Sequence, residues 1–243
     1  MKFDIISIFP EFFDSPKSCG ILRIGQEKGI IEIRITNPRD FTTDGIVDDY
    51  QFGGGAGMVM KPEPIAQAIN QVKTKKSLLI NLTPKGKPLN QKIVNELTKK
   101  EHLIIICGRY KGVDERIKLM FKPLEISVGD YVLSGGEAGA LVLIESITRL
   151  LPNVLMNRDS ADTDSFQKNL FEAPIYTRPN IYKKSAVPEV LRSGNHQLIA
   201  QWRRKQSIAI TLAMRPDLLS AETFSKNDFE ILLEVLNGKN FRN

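Results

Sequence analysis

Two periods alternate along the first 151 residues. Phe3 to Phe9, Ile31 to Thr36, Ser77 to Leu82, His102 to Cys107 and Leu124 to Val128 are short runs rich in branched apolar residues, as strands are. Between and after them, Pro64 to Lys73, Leu89 to Lys100, Asp114 to Phe121 and Gly136 to Leu151 space apolar residues three and four apart, as one-sided helices do. The last of these opens on an acidic turn at Glu137, which suits a helix N-terminus. Strand alternating with helix predicts a parallel sheet with helices on its faces and ligands beyond the carboxyl ends of its strands.

After Leu151 the strand runs cease. Asn157 to Pro174, NRDSADTDSFQKNLFEAP, is polar, acidic at its start and closed by proline, and reads as a linker. Proline-punctuated coil follows, then a helical pattern from His196 to Met214 opened by Ser193-Gly194-Asn195, and a last helix near Asp228 to Leu236. The expected organisation is an α/β domain over 1–156, a linker over 157–174 and a small all-helical domain over 175–243. No repeat of solenoid length is present.

Composition narrows the class. With 243 residues, 42% hydrophobic and 26% charged, the chain has the make-up of a folded globular protein rather than a disordered one. No apolar run reaches the ~18 residues of a membrane span, and Asp4 and Glu11 interrupt any signal peptide, so a cytoplasmic location is expected. Cys19, Cys107, His102 and His196 show no zinc spacing, so no metal ligands are assigned and both thiols are expected to be reduced and structural. The net charge of +6 is uneven: residues 1–174 carry 23 Lys and Arg against 22 Asp and Glu, and residues 175–243 carry 11 against 6. A basic C-terminal segment fits contact with a polyanion, and a soluble basic helical tail fits equally.

Glycines cluster at Phe52 to Gly57 (FGGGAG), Gly108 to Gly112 (GRYKG) and Gly129 to Gly136 (GDYVLSGG). The last two directly follow strand candidates. Each cluster alone is compatible with a tight turn. None has the spacing of a P-loop or a dinucleotide turn. What remains is a ligand held by main-chain groups among Val128, Val132 and Leu133, with Tyr110 and Tyr131 able to pack on something flat. A purine nucleoside with little or no phosphate suits such a site.

The strings FGGGAGMVM, LTPKG, CGRYKGVDER, SVGDYVLSGGE, DTDSF, YTRP, VPEVLRSGNH and WRRKQS occur in that order. In sequence and spacing they resemble the bacterial tRNA (guanine-37 N1)-methyltransferases, the TrmD type of the SPOUT class, from the first residues to about Leu219. The resemblance implies a parallel α/β domain whose C-terminal part forms a deep trefoil knot, with S-adenosylmethionine bent into it. By similarity, Leu82, Pro84, Gly108, Tyr110, Val128, Gly129, Asp130, Tyr131, Val132, Leu133, Gly135 and Gly136 hold the donor. It further implies an obligate homodimer with the active site at the subunit interface, and tRNA as substrate.

Neutral guanine carries a proton on N1, so methylation there requires a general base and a positive group near O6. By similarity Asp164 of DTDSF is the base and Arg149 of ITRLL stabilises O6. The residues alone would leave Asp164 as one acidic linker residue beside Asp159 and Asp162, and Arg149 as a favourable helix-ending cation. Arg203, Arg204 and Lys205 around Trp202 read either as an RNA-phosphate patch or as a solvated helix face.

The chain departs from the family pattern in three places. Lys111 stands where GRYEG has Glu, Glu172 where Asp is usual, and Ile175 where a His often precedes YTRP. The resemblance also implies magnesium, and Lys111 supplies near the donor some of the charge a cation would bring. Two rival readings are a knotted RNA-binding protein without catalysis, for which Lys111 speaks, and a methyltransferase acting on another RNA position.

Overall fold

The computed structural model describes residues 1–155, 164–167, 169–221 and 224–236. Contacts divide the chain into two units, Met1–Arg158 and Asp159–Asn243. In chain order the strands of the first unit are β1 (Lys2–Ile6), β2 (Glu32–Thr36), a short pair β3 (Asp48–Tyr50) and β4 (Met58–Met60), then β5 (Ser77–Pro88), β6 (His102–Cys107) and β7 (Leu124–Ser127). Its helices are α1 (Asp14–Lys17), α2 (Gly20–Glu27), α3 (Pro62–Val72), α4 (Gln91–Leu97), α5 (Glu115–Phe121) and α6 (Glu137–Thr148). Five strands form one sheet in the order β2-β1-β6-β5-β7, and every pairing is parallel.

The sequence explains the layering. All six residues of β6 are buried, so this central strand faces apolar neighbours on both sides. Leu103, Ile105 and Cys107 share one core with Phe3, Ile5, Val94 and Leu143, whereas Ile104 and Ile106 point the other way, to Ile65, Ile69 and Ile117. At the amino end of the sheet, buried Asp4 holds His102 Nε2 at 2.6 Å and Lys2 Nζ at 2.8 Å, while His102 Nδ1 meets Ser77 Oγ at 2.8 Å. That chain of contacts ties β1, β6 and β5 in register.

The expected strand ending at Leu82 is too short. Leu82 and Lys87 both pair with Ile126 of β7, so Thr83 to Gly86 loop out and the ladder resumes to Pro88. Gly86 packs directly on the backbone of Ile126, where no Cβ fits. The β3–β4 pair and α2 are further elements that the apolar pattern does not predict.

In the second unit the long helix His196–Met214 is capped by Asn195, whose side-chain oxygen accepts from the amides of Gln197 and Leu198 at 3.1 and 3.2 Å. Ile208 of this helix, Ile231 of the helix Lys226–Leu236 and Leu170 form its core. Of the stretch read as a linker, 157–163 and 168 lie outside the described residues. Its end is anchored, since Phe171 N donates to Thr211 Oγ1 at 2.8 Å. The unit is not all helical: Ile181–Tyr182 pairs antiparallel with Ser185–Ala186. Lys183 makes that hairpin possible by taking φ 54° at the turn. Among the described residues no helix is long and apolar enough to cross a membrane.

One ion pair of the second unit has a measurable consequence. Arg204 grips Asp228 with Nε at 2.9 Å and a second guanidinium nitrogen at 3.1 Å. That hydrogen-bonded pairing, aided by Ser225, lowers the Asp228 carboxyl from 3.8 to about 2. A depressed carboxylate stabilises the fold above its unfolded value and loses that contribution as pH falls through the folded one. Asp228→Asn is therefore expected to cost about 2 kcal/mol at neutral pH. The difference from the parent chain should vanish between about pH 4 and pH 2, as followed by urea titrations at several pH values.

Candidate active site

Three segments lie toward the carboxyl edge of the adjacent strands β5, β6 and β7: the excursion Thr83 to Gly86 within β5, and the loops Gly108 to Val113 after β6 and Val128 to Gly136 after β7. Main-chain bonds join the second and third. Gly136 N donates to Gly108 O at 2.9 Å, and Arg109 bridges Gly135. A Cβ on Gly136 would lie 2.7 Å from the Cα of Cys107, so only glycine permits this approach. The β3–β4 pair closes on the second loop from the other side through Lys111 N to Met58 O at 2.9 Å and Met60 N to Gly112 O at 2.9 Å. Tyr110 there takes φ 58°, a left-handed conformation unusual for a bulky residue. The stem of Lys111 lies against Gly57, 3.1 Å from where a Cβ would stand.

A buried carboxylate holds the arrangement together. Glu137, 1% exposed, accepts from Ser7 Oγ at 2.7 Å and from Arg109 Nε at 2.8 Å. Arg109 in turn lies over the Phe9 ring, 4.5 Å from its centroid. Burial pushes the Cys107 thiol up, and the Glu137 charge adds to the effect, so this cysteine is an inert wall. Nothing in the sequence marks Arg109 or Ser7, and Glu137 is legible there only as an acidic helix start, not as their partner.

The structure brings most of the expected donor-binding residues to this one edge. Leu82 and Val128 converge over Gly139 of α6, at 3.4 and 3.5 Å from where a Cβ would stand. The Tyr131 ring covers Gly129 and its hydroxyl donates to Val128 O at 3.1 Å. Asp130, Tyr131, Val132 and Leu133 are exposed, Val132 at 86%. Pro84 sits in the excursion of β5.

Arg149 is not part of this cluster. It caps the far end of the 12-residue α6, about 20 Å along the axis from Gly136 at 1.5 Å per residue. Asp164 belongs to the second unit. There it lines an open cleft of about 870 Å³ together with Glu172, Tyr176, Arg178, Arg192 and Arg203. Arg204 also borders the cleft but is engaged by Asp228, and Lys205 reaches Glu234 at 2.7 Å. Of the three basic residues expected as an RNA patch, these two are thus held by carboxylates of their own unit.

The molecule is an α/β protein whose glycine-rich loops gather at the carboxyl edge of a parallel sheet, followed by a unit with its own cleft, lined by apolar side chains and by arginines. A family model described as tRNA (Guanine-1)-methyltransferase TrmD matches residues 1–221. A protein of Dictyoglomus turgidum named tRNA (guanine-N(1)-)-methyltransferase is 49% identical over 237 residues, 97% of this chain and 96% of that one. Proteins of the same name from Christiangramia forsetii and Carboxydothermus hydrogenoformans are 52% and 50% identical, over 91% and 96% of this chain and 100% and 92% of their own lengths. The chain belongs to the TrmD family of tRNA (guanine-1)-methyltransferases.

Proposed function

We propose that the protein transfers a methyl group from S-adenosylmethionine to N1 of guanine in tRNA, at position 37 of the anticodon loop. The family match over residues 1–221, which spans the loop cluster, Arg149 and Asp164, carries this reading. S-adenosylmethionine, when bound, supplies the methyl as a carbon on a positively charged sulfur. The loop edge fits the donor: Gly135 and Gly136 leave no room for a Cβ, and Leu82 and Val128 offer an apolar wall. Main-chain groups of Val128 to Leu133, with Gly108, Tyr110 and Pro84, hold the adenosine without needing phosphate contacts. In this reading the loops and β5 form the trefoil knot of the family, and the second unit is its RNA-binding domain.

Asp164 accepts the N1 proton, which frees a lone pair for in-line attack, and Arg149 offsets the negative charge that grows on O6. The length of α6 keeps Arg149 away from the loops of its own chain. A homodimer, in which one protomer's Arg149 and Asp164 serve the partner's loops, resolves that separation. Exposed Val132 and Tyr131 are the apolar surface such an interface would cover. For magnesium the residues do not fit a protein-built cage, because among the described residues no three His, Cys, Asp or Glu side chains gather. No step is routed through a metal.

The test is nucleoside mass spectrometry of unmodified tRNA incubated with the protein and isotope-labelled donor. Label is expected in 1-methylguanosine from the anticodon-loop fragment. Binding of tRNA without label would favour the non-catalytic rival, and label in another nucleoside would move the reaction elsewhere.

A further inference from the structure

The cleft of the second unit separates its arginines into two kinds. Arg204 is neutralised by two hydrogen bonds to Asp228, and it also holds the fold. Arg178 and Arg203 are exposed, line the cleft, and make no side-chain hydrogen bond or ion pair among the described residues. Arg192 meets only Glu189, at 4.0 Å, a contact worth little on an exposed surface. Three guanidiniums thus face one cleft against the two carboxylates of Asp164 and Glu172. Stability gains nothing from placing them there, since unpaired like charges repel.

The same cleft carries an aromatic face. Tyr176 is 47% exposed, and its ring is braced from behind by Trp202, with centroids 6.4 Å apart. Cations along a concave path beside an aromatic ring are the two elements by which proteins hold single-stranded nucleic acid. Arginine adds bidentate contact to phosphate oxygens.

We propose that Arg178, Arg192 and Arg203 bind phosphates of the single-stranded RNA loop carrying the target base, and that Tyr176 stacks on a neighbouring base. This rests on the reading of the protein as a tRNA methyltransferase. It places the phosphate contacts in the cleft beside Asp164 and removes them from Lys205 and Arg204. RNA held there is oriented by the same walls that present the proposed base.

The experiment measures binding of the full protein to a fluorescein-labelled, unmodified anticodon stem-loop by anisotropy, at salt concentrations from about 50 to 300 mM. Arg178→Gln and Arg203→Gln are each expected to flatten the slope of log affinity against log salt by about 0.7 to 0.9, and the double variant by roughly twice that. Lys226→Gln, which removes a charge outside the cleft, should leave the slope unchanged. Tyr176→Leu should weaken binding about tenfold with the slope intact. Charge-preserving Arg178→Lys and Arg203→Lys should keep most of the slope, which separates lost charge from lost fold. A steep parent slope that survives the double glutamine variant overturns the cleft proposal and leaves the proposed activity standing. A Lys226→Gln effect as large as the arginine effects would do the same. Failure of the parent protein to bind the stem-loop at all would overturn both.

Discussion

Replacing Asp164 by alanine is expected to lower methyl transfer by about 10²- to 10⁴-fold, the range that a positioned general base contributes. The N1 lone pair of guanine is unavailable until its proton leaves, and no other step in the proposed reaction removes it. Donor binding should be spared. Every residue proposed to hold S-adenosylmethionine lies between Leu82 and Gly136 in the first unit, whereas Asp164 is half-buried in the second. Calorimetric titration of the donor is thus expected to give a dissociation constant within about twofold of the parent value, while single-turnover methylation collapses. Asp164→Asn, which keeps the shape and removes the basicity, should be nearly as slow. Equal loss of donor affinity and turnover would instead make Asp164 a structural residue, and an unchanged rate would remove it as base.

How far the sequence made this legible depends on the range over which each feature is determined. The strand β6 is readable because a central parallel strand must be apolar on both faces, and HLIIIC is. The resumption of β5 after Leu82 is not, because Pro84, Gly86 and two lysines look like the end of a strand; only pairing with Ile126 restores it. The β3–β4 pair is hidden by its three-residue strands and the glycines between them. Arg203, Arg204 and Lys205 read as one patch, yet successive helical residues fan out by about 100°, so they face different surroundings. Arg178 lies in a coil twenty-five positions earlier, and nothing local marks it as the companion of Arg203. Glu137 is the sharpest case. Locally it is an acidic residue in a first helical turn, but its partner Ser7 is 130 positions away.

That distant pairing makes Glu137→Ala the most damaging single change expected in the first unit. It would leave Arg109, whose side chain is only 18% exposed, without its counter-ion and leave the buried Ser7 hydroxyl without its acceptor. Removing one member of a buried ion pair costs roughly 3 to 5 kcal/mol, since the remaining charge stays desolvated. For a chain of this length that corresponds to a fall in melting temperature of about 10 °C. Donor affinity should fall as well, because the bond from Gly136 N to Gly108 O, the link between the two loops, is made by the residues flanking this pair. Two roles can be separated. Arg109→Leu combined with Glu137→Leu removes both charges, so it should recover much of the stability. If Glu137 also positions the loops, that double variant will melt near the parent temperature and still bind S-adenosylmethionine poorly. Recovery of both properties would reduce Glu137 to a counter-ion, and a Glu137→Ala chain that melts like the parent would show that the buried pair does not hold the loops.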